Sequence, residues 1–290
     1  MILVVGATGD VGGVITRRLL EDGHAVRILV RQGSDHAALA EAGAEPVLGD
    51  LKDPPSLEAA CAGIETVVTT ANSAKRGGED TVETVDLHGN RALVEAATQA
   101  GVKRFVFVSA LGADPESPVP FLQAKALTEQ SIQASGMSYA ILRPDPFMDI
   151  WVPVVIGIAL QTGQPVRLVG QGDHRHSFVF SGDVAQLAAA LADRVEPENR
   201  VIPVGGPEAL SWSEIVDRVE RITGGHIPVE YVAPGAEMPG MPPFVSGLLS
   251  AQETYESPID MTDTSRQYGV TLTSLDAFAS RLFAPPASTG

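Results

Sequence analysis

A chain of 290 residues with 44% apolar residues is long enough for one large or two modest domains around a buried core, and it is expected to fold as a soluble globule. The 20 Lys and Arg residues stand against 36 Asp and Glu residues, and the formal charge of −16 argues against nucleic-acid and membrane-surface partners. The only cysteine, Cys61, has no partner for an intramolecular disulfide, and the sequence opens on an apolar strand rather than a basic leader, so a cytoplasmic location is expected.

Short apolar runs alternate with patterns of helical spacing from residue 1 to residue 144. This alternation predicts a parallel sheet with helices on both faces, because each right-handed crossover places its helix against one face. The fold class is therefore predicted to be α/β, with a doubly wound parallel sheet of the Rossmann type. The predicted strands lie at 1–5, 25–31, 44–50, 66–71, 104–110 and 138–144, and the predicted helices lie at 12–23, about 35–42, about 55–62, about 80–100 and 121–135.

The pattern changes after Pro144. The apolar run at 150–160 contains a proline and is too short to cross a bilayer, so it predicts a buried or pocket-lining helix and no membrane span. Further along, the sequence predicts a strand and a helix within 175–194, a strand at 200–205, an amphipathic helix at 211–224 and a Pro- and Gly-rich segment at 233–247 that is largely loop.

These patterns predict two domains. Residues 1–147 form the nucleotide-binding core, and residues 176–204 are expected to rejoin its sheet. Residues 148–175 and 205–290 form a smaller C-terminal lobe on the substrate side.

A glycine-rich loop, "GATGDVG", joins the first predicted strand to the first predicted helix. Glycines let the backbone approach a pyrophosphate closely, and the free amides at the helix start bind its charge. A tight structural turn is the alternative, but the position after the first strand favours a dinucleotide. The expected cofactor-binding residues of the loop are Gly6, Thr8, Gly9, Asp10, Val11 and Gly12.

Arg31 stands at the end of the second strand, where an acidic residue would bind the adenosine ribose of NAD. An arginine there favours a 2′-phosphate, so NADP(H) is expected to be preferred over NAD(H). The alternative is that Arg31 only ends the strand in solvent, with Ser34 or Asp35 capping the next helix.

The ordered set of "GATGDVG", Arg31, "GDL" at 49–51, "AGVKRFVFVSALGAD" at 100–114 and "LRP" at 142–144 resembles the NmrA-like atypical short-chain dehydrogenases/reductases. That group includes NADPH-dependent reductases of quinones, dyes and phenylpropanoid compounds, and also redox-sensing regulators that bind the cofactor. The resemblance implies that Asp50 and Leu51 flank the adenine, and that the strand end at 69–74, with Thr70, Ala71 and Asn72, lies along the cofactor. It also implies that Lys125 binds the nicotinamide ribose and that Pro144 to Phe147 face the nicotinamide.

In the wider superfamily a serine, a tyrosine and a lysine deliver the proton that accompanies hydride transfer. Here Ser109 and Lys125 are the catalytic candidates, but Phe121 occupies the position of the tyrosine, so no phenol can act as the acid. Either Lys125, a water or another side chain supplies the proton, or no turnover occurs. Phe121 forms an apolar wall of the acceptor pocket together with Phe147 and Trp151, or it is only a core residue of its helix.

The favoured function is therefore an NADPH-dependent oxidoreductase that transfers hydride to a small aromatic, quinone-like or conjugated carbonyl acceptor. The alternative is a non-catalytic NADP(H)-binding redox sensor; an epimerase of nucleotide sugars is disfavoured because the tyrosine is missing. No metal site is expected, because His174 and His176 have no further ligands at nearby spacing, and these histidines either line the pocket or are ordinary hydrogen-bonded residues. A monomer or homodimer is expected.

Overall fold

The computed structural model of the protein describes residues 1–73, 77–194, 199–236, 238, 241 and 243–283. Its strands are β1 (Ile2–Val5), β2 (Val26–Val30), β3 (Glu45–Leu48), β4 (Thr66–Thr69), β5 (Arg104–Val108), β6 (Ser138–Pro144), β7 (Val166–Val169), β8 (Arg200–Val204) and β9 (Val229–Val232). Its helices are α1 (Asp10–Glu21), α2 (Ala37–Glu41), α3 (Pro54–Cys61), α4 (Asn90–Gln99), α5 (Pro120–Ala134), α6 (Met148–Val152), α7 (Ile158–Thr162), α8 (Ser181–Ala192), α9 (Trp212–Thr223), α10 (Pro243–Gln252), α11 (Thr262–Tyr268) and α12 (Leu275–Phe283). Wider π-type turns precede α4 at Val82–Gly89 and join α6 to α7 at Pro153–Gly157.

Seven strands form one parallel sheet in the order β3-β2-β1-β4-β5-β6-β8, which confirms the predicted doubly wound fold. The central strands β1, β4 and β5 are buried along their whole length, as apolar strands covered on both faces must be. The edge strands β3 and β8 are largely exposed. The strand order reverses between β1 and β4, and ligands of doubly wound sheets bind at the carboxyl ends of the strands at such a point.

The chain divides into two compact units. The first comprises Met1–Pro144, Ser181–Val204 and Gln267–Val270, and the second comprises Asp145–Phe180, Gly205–Arg266 and the described residues from Thr271 onward. The first unit contains the main sheet, and part of its core lies where α3 and α4 pack against the strands through Leu57, Leu93 and Phe105. The second unit contains the parallel pair β7 and β9.

The core of the second unit gathers apolar side chains from the segment α6 to α7, from β7 and from α9. Ile215, Val216 and Val219 of the amphipathic α9 are buried there, as the helical spacing predicted. Within the described residues, no helix combines the length and apolar character that a membrane crossing requires.

Three details differ from the sequence-based expectations. The predicted strand within 175–194 forms only single bridges, from His176 to Leu210 and Ser257 and from Val179 to Phe147. These bridges place 145–147 and 176–180 in the second unit, a few residues away from the predicted domain limits. The predicted loop at 233–247 is wrong at its end, because α10 begins at Pro243, where a proline is tolerated in the first turn; residues 237, 239, 240 and 242 lie outside the described residues.

Candidate active site

The glycine loop lies between β1 and α1, and its three glycines pack against one another. Gly6 has φ +88°, and a Cβ there would lie 2.8 Å from Thr70 Oγ1. A Cβ on Gly12 would lie 2.1 Å from the carbonyl oxygen of Gly6. A Cβ on Gly9 would meet that oxygen only at 3.3 Å, so contacts inside the protein restrict Gly9 less than the other two glycines of the loop. The loop thus fits a ligand that must approach backbone amides at the start of α1.

Arg31 follows β2 and forms an ion pair with Asp80, at 2.5 Å between Arg31 Nη1 and Asp80 Oδ2. Lys52, which sequence reasoning missed, donates from Nζ to the other oxygen of Asp80 at 2.5 Å. This hydrogen bond and the nearby negative charges raise the pKa of Lys52. Two cationic side chains therefore converge on one carboxylate beside the carboxyl end of β2, where the sequence predicted an adenosine site.

The residues implied for the adenine and for the strand end differ in exposure. Leu51 is buried in the core of the first unit, whereas the carboxylate of Asp50 accepts the backbone N–H of Lys52. After β4, Thr70 and Ala71 are buried, and the carbonyl of Ala71 accepts from Asn90 Nδ2 at 3.2 Å. Asn72 donates from Nδ2 to the carbonyl of Thr70, and Ala74, at the end of this stretch, lies outside the described residues.

Lys125 is 2% exposed and lies on α5 among aromatic rings. Its ammonium lies 4.7 Å from the centroid of Phe107 and 5.4 Å from that of Phe121, and it donates to the carbonyl of Val108 at 3.0 Å. Burial lowers the pKa of Lys125, while the negative charges of Asp86 and Glu129 oppose this shift. The ring of Phe121 thus lies against the lysine, and the ammonium binds the strand end that carries Ser109.

Ser109 is buried at the end of β5, and its hydroxyl contacts Glu129 of α5 at 2.5 Å. Arg143 of β6 forms an ion pair with the same carboxylate at 2.6 Å. Sequence reasoning missed Glu129, although Phe121, Lys125 and Glu129 recur every four residues on one face of α5.

The residues expected around the nicotinamide and the acceptor belong to different units. Pro144 ends β6 in the first unit, and its carbonyl accepts from the backbone N–H of Leu111 at 2.9 Å. Phe147 and Trp151 belong to the second unit, where the N–H of Trp151 donates to the carbonyl of Phe147 at 2.9 Å. A shared acceptor pocket of Phe121, Phe147 and Trp151 stays a prediction.

The second unit has a buried polar network of its own. Ser257 Oγ lies 2.7 Å from Asp145 Oδ2 and 2.7 Å from His176 Nδ1, and the other nitrogen of His176 lies 3.1 Å from the carbonyl of Gln252. Asp145 Oδ2 also accepts the backbone N–H of Ser177 at 2.6 Å. His176 is therefore a buried, hydrogen-bonded histidine, which is one of the two roles that the sequence allowed.

The hydrogen-bonding groups of this network fix its number of protons. A carbonyl only accepts, so His176 Nε2 carries a hydrogen. Either Asp145 is ionised and His176 is protonated on both nitrogens, or Asp145 holds the proton and the Ser257 hydroxyl donates to a neutral His176. Burial raises the pKa of Asp145 to about 7 and lowers that of His176. Both shifts favour the arrangement in which the two side chains are uncharged.

One cluster in the second unit bears on the expectation that no metal binds. Asp173, His174 and Glu253 have ligand atoms within 4.8 Å of one another, and Glu253 lies far from the histidine in sequence. Spacing along the sequence therefore does not reveal this grouping. Because Asp173 is exposed, such a grouping is common without a metal, and the expectation stays a prediction.

Comparisons with known proteins agree with this architecture. A family model described as NAD(P)H-binding matches residues 6–194. The chain is 32% identical to the NAD(P)H azoreductase of Xenophilus azovorans, over 80% of this chain and 77% of that protein. It is 31% identical to the photosystem II assembly factor Ycf39 of Cyanophora paradoxa, over 80% of this chain and 71% of that protein.

Among solved structures, the fold is similar to that of an NADPH-dependent quinone oxidoreductase from Escherichia coli in complex with NADPH. The TM-score is 0.82 at 22% identity, and the alignment covers 98% of this chain and all of that one. At this identity the likeness concerns the fold.

Proposed function

This chain belongs to the NAD(P)H-binding family, as an NmrA-like atypical short-chain dehydrogenase/reductase, and we propose that it is an NADPH-dependent oxidoreductase of small quinone-like or conjugated aromatic acceptors. The observation that carries this proposal is the buried ammonium of Lys125 against the ring of Phe121, where a tyrosine would otherwise stand. The azoreductase relative and the quinone oxidoreductase fold support the same class of reaction.

The residues of the first unit fit a dinucleotide. The glycine loop has backbone amides at the start of α1 and little space for side chains, which suits a pyrophosphate. Arg31 and Lys52 supply two cationic groups for a 2′-phosphate, which would displace them from Asp80. These two side chains support a preference for NADP(H).

When bound, NADPH supplies a hydride from its nicotinamide ring. The protein's own task is to orient the acceptor and to handle the proton. A quinone needs less help than a simple ketone, because its reduced oxygen is a stabilised, phenolate-like anion. Lys125 can donate a proton to that anion at a lower cost than an exposed lysine, since burial has lowered its pKa.

The proposal is tested by NADPH oxidation with quinones, enones and simple ketones. We expect wild type to reduce quinones fastest and Lys125→Met to lose most of this activity. Lys103→Met is the matched control, because Lys103 is an exposed lysine of the same unit, paired with Glu65. Tight NADPH binding without oxidation by any acceptor would contradict the enzyme.

Replacement of Gly9 tests the cofactor loop. A side chain there meets only one close contact within the protein, so Gly9→Val should fold and yet lose binding of both NADPH and NADH. Gly12→Val is the contrasting variant, since its Cβ would collide with the Gly6 carbonyl and the unit should not fold stably. Calorimetry that finds unchanged affinity in folded Gly9→Val would contradict this role.

A second candidate function is favoured by the similarity to photosystem II assembly factors. In that case the chain binds NADP(H) and changes its protein partners with the redox state of the cofactor. Cofactor-dependent association with a protein partner, in the absence of turnover, would support this function instead.

A further inference from the structure

The direction of the Ser109 hydroxyl follows from its partners. Ser109 Oγ lies 2.5 Å from Glu129 Oε1, and its backbone N–H already donates to the carbonyl of Leu142 at 2.7 Å. The hydroxyl has one hydrogen and two lone pairs. The charge on Glu129 therefore decides which of these faces the carboxyl group.

Arg143 fixes that charge. Arg143 Nε donates to Glu129 Oε1 at 3.0 Å, and Arg143 Nη2 donates to Glu129 Oε2 at 2.6 Å. The guanidinium therefore binds both carboxylate oxygens in a bidentate ion pair. A guanidinium stays protonated in proteins, and a carboxylate in this geometry is ionised and can only accept. The hydrogen of Ser109 therefore points at Glu129, and its oxygen offers only lone pairs to any other group.

The carboxylate is also well isolated from water. The side chain of Glu129 is 4% exposed, and Ser109 is buried as well. Turning the hydroxyl away would leave a buried anion with one hydrogen bond fewer, which is costly. Lys125, one turn earlier on α5, binds the carbonyl of Val108 and fixes the same strand end.

We propose that Glu129 is a positioning residue that makes Ser109 a hydrogen-bond acceptor, so that the ligand group contacting Ser109 is an N–H or O–H donor rather than a carbonyl or oxyanion. This polarity is the opposite of that of a serine that stabilises the oxygen of a ketone substrate. The inference rests on the proposed function, and it restricts the ligand to one that carries a donor at this point.

Two groups have the required chemistry: the carboxamide N–H of nicotinamide and the hydroxyl of a reduced, phenol-like product. The first is tested with NADP⁺ and its 3-acetylpyridine analogue, which lacks the amide N–H. The second is tested, on protein saturated with NADP⁺, with hydroquinone and its dimethyl ether, which lacks the hydroxyl hydrogens. Binding is measured by calorimetry for wild type, Ser109→Ala and the control Ser131→Ala, whose hydroxyl donates to the carbonyl of Leu127 in its own helix.

Ser109→Ala is expected to weaken the donor-bearing member of one pair by about tenfold and to leave the other member within about twofold. The affected pair identifies the source of the donor. Equal losses for both members, or none in either pair, would overturn the inference while leaving the proposed function intact. Failure of wild type to bind NADP⁺ at all would instead contradict the proposed function and this inference together.

A double variant tests the role of Glu129. Glu129→Leu with Arg143→Leu removes both charges together and avoids an unpaired buried ion. The Ser109 hydroxyl is then free to donate, so the analogues that lack a donor should gain affinity relative to their partners. An unchanged preference in the folded double variant would overturn the inference.

A spectroscopic measurement on the protein alone completes the test. In proton NMR, the Ser109 hydroxyl of wild type should give a resonance that exchanges slowly with water and that is absent in Ser109→Ala. The double variant should lose this slow exchange. Equally fast exchange in wild type and in the double variant would show that Glu129 does not hold the hydrogen.

Discussion

Each of the two units buries a serine hydroxyl against a carboxyl group, but the two networks differ in the cation that completes them. In the first unit, Glu129 is paired with Arg143, which stays charged. In the second, Ser257 links Asp145 to His176. A permanent cation keeps the carboxylate ionised and so fixes the direction of the serine hydrogen. A histidine can instead lose its charge, so that the proton lies on the carboxyl group and both side chains are uncharged.

Loss of Arg143 should destabilise the protein more than any other change considered below. Arg143→Leu leaves the Glu129 carboxylate buried and unpaired, and it should lower the free energy of unfolding by about 3 to 5 kcal/mol. Urea unfolding measures this loss. Glu129→Leu/Arg143→Leu is the control, because it removes both charges and should lose much less. If the single and double variants were equally unstable, packing rather than charge would explain the pair.

The network of the second unit should show itself in the pH dependence of stability. The folded chain holds the Asp145 proton up to about pH 7, whereas the unfolded chain releases it near pH 4. Unfolding in this window therefore releases a proton, and the stability contributed by the group falls as pH rises from about 4 to about 7.

Asp145→Asn keeps a neutral side chain at every pH and removes this term. Relative to the variant, wild type should lose about 2 to 4 kcal/mol of stability between pH 4 and pH 8. The term from His176 has the opposite sign, since burial lowers its pKa, and it remains in both proteins. Parallel stability curves for the two proteins would show that Asp145 is ionised at neutral pH.

The ion pairs of Asp80 with Arg31 and Lys52 involve cationic side chains that are about one-third exposed. Arg31→Ala and Lys52→Ala should each weaken NADPH binding by about 1 to 3 kcal/mol, because a hydrogen bond to the 2′-phosphate is lost. NADH binding should barely change in either variant. The control Arg18→Ala, which replaces a surface residue of α1, should leave NADPH binding unchanged. Equal losses for both cofactors in titrations would refute the NADP(H) preference.

Phe121→Tyr should have the smallest effect. The new phenol would lie near Lys125, but the Ser109 hydroxyl is already committed to Glu129, so the superfamily's proton-delivery set is not restored. Single-turnover hydride transfer to a simple ketone should rise by less than about tenfold. A much larger gain would show that the site is an ordinary reductase that lacks only its acid.

The sequence predicted the main sheet because its central strands β1, β4 and β5 are apolar runs buried on both faces, and the helices between the strands have clear spacing. The resemblance to the wider superfamily paired Lys125 with Ser109, and Lys125 donates to the carbonyl of Val108, the residue before Ser109. Sequence reasoning missed Asp80 beside Arg31 and Ser257 beside Asp145, because these pairs join distant segments and leave no local pattern. Glu129 could have been predicted from the sequence, since it lies one helical turn beyond Lys125 on α5.

The fate of the hydride distinguishes an NADPH-dependent reductase from a cofactor-binding regulator. Wild type would be mixed with NADPH that carries deuterium at the transferred position and with a quinone, and the reduced product would be analysed by mass spectrometry. For a quinone, whose product hydroxyl hydrogens exchange with water, we expect hydroquinone to form in step with NADPH oxidation. With an enone in its place, we expect one deuterium bound to carbon in the saturated product. NADPH that remains bound and unoxidised with every acceptor would contradict the proposed reductase activity and favour a cofactor-binding regulator.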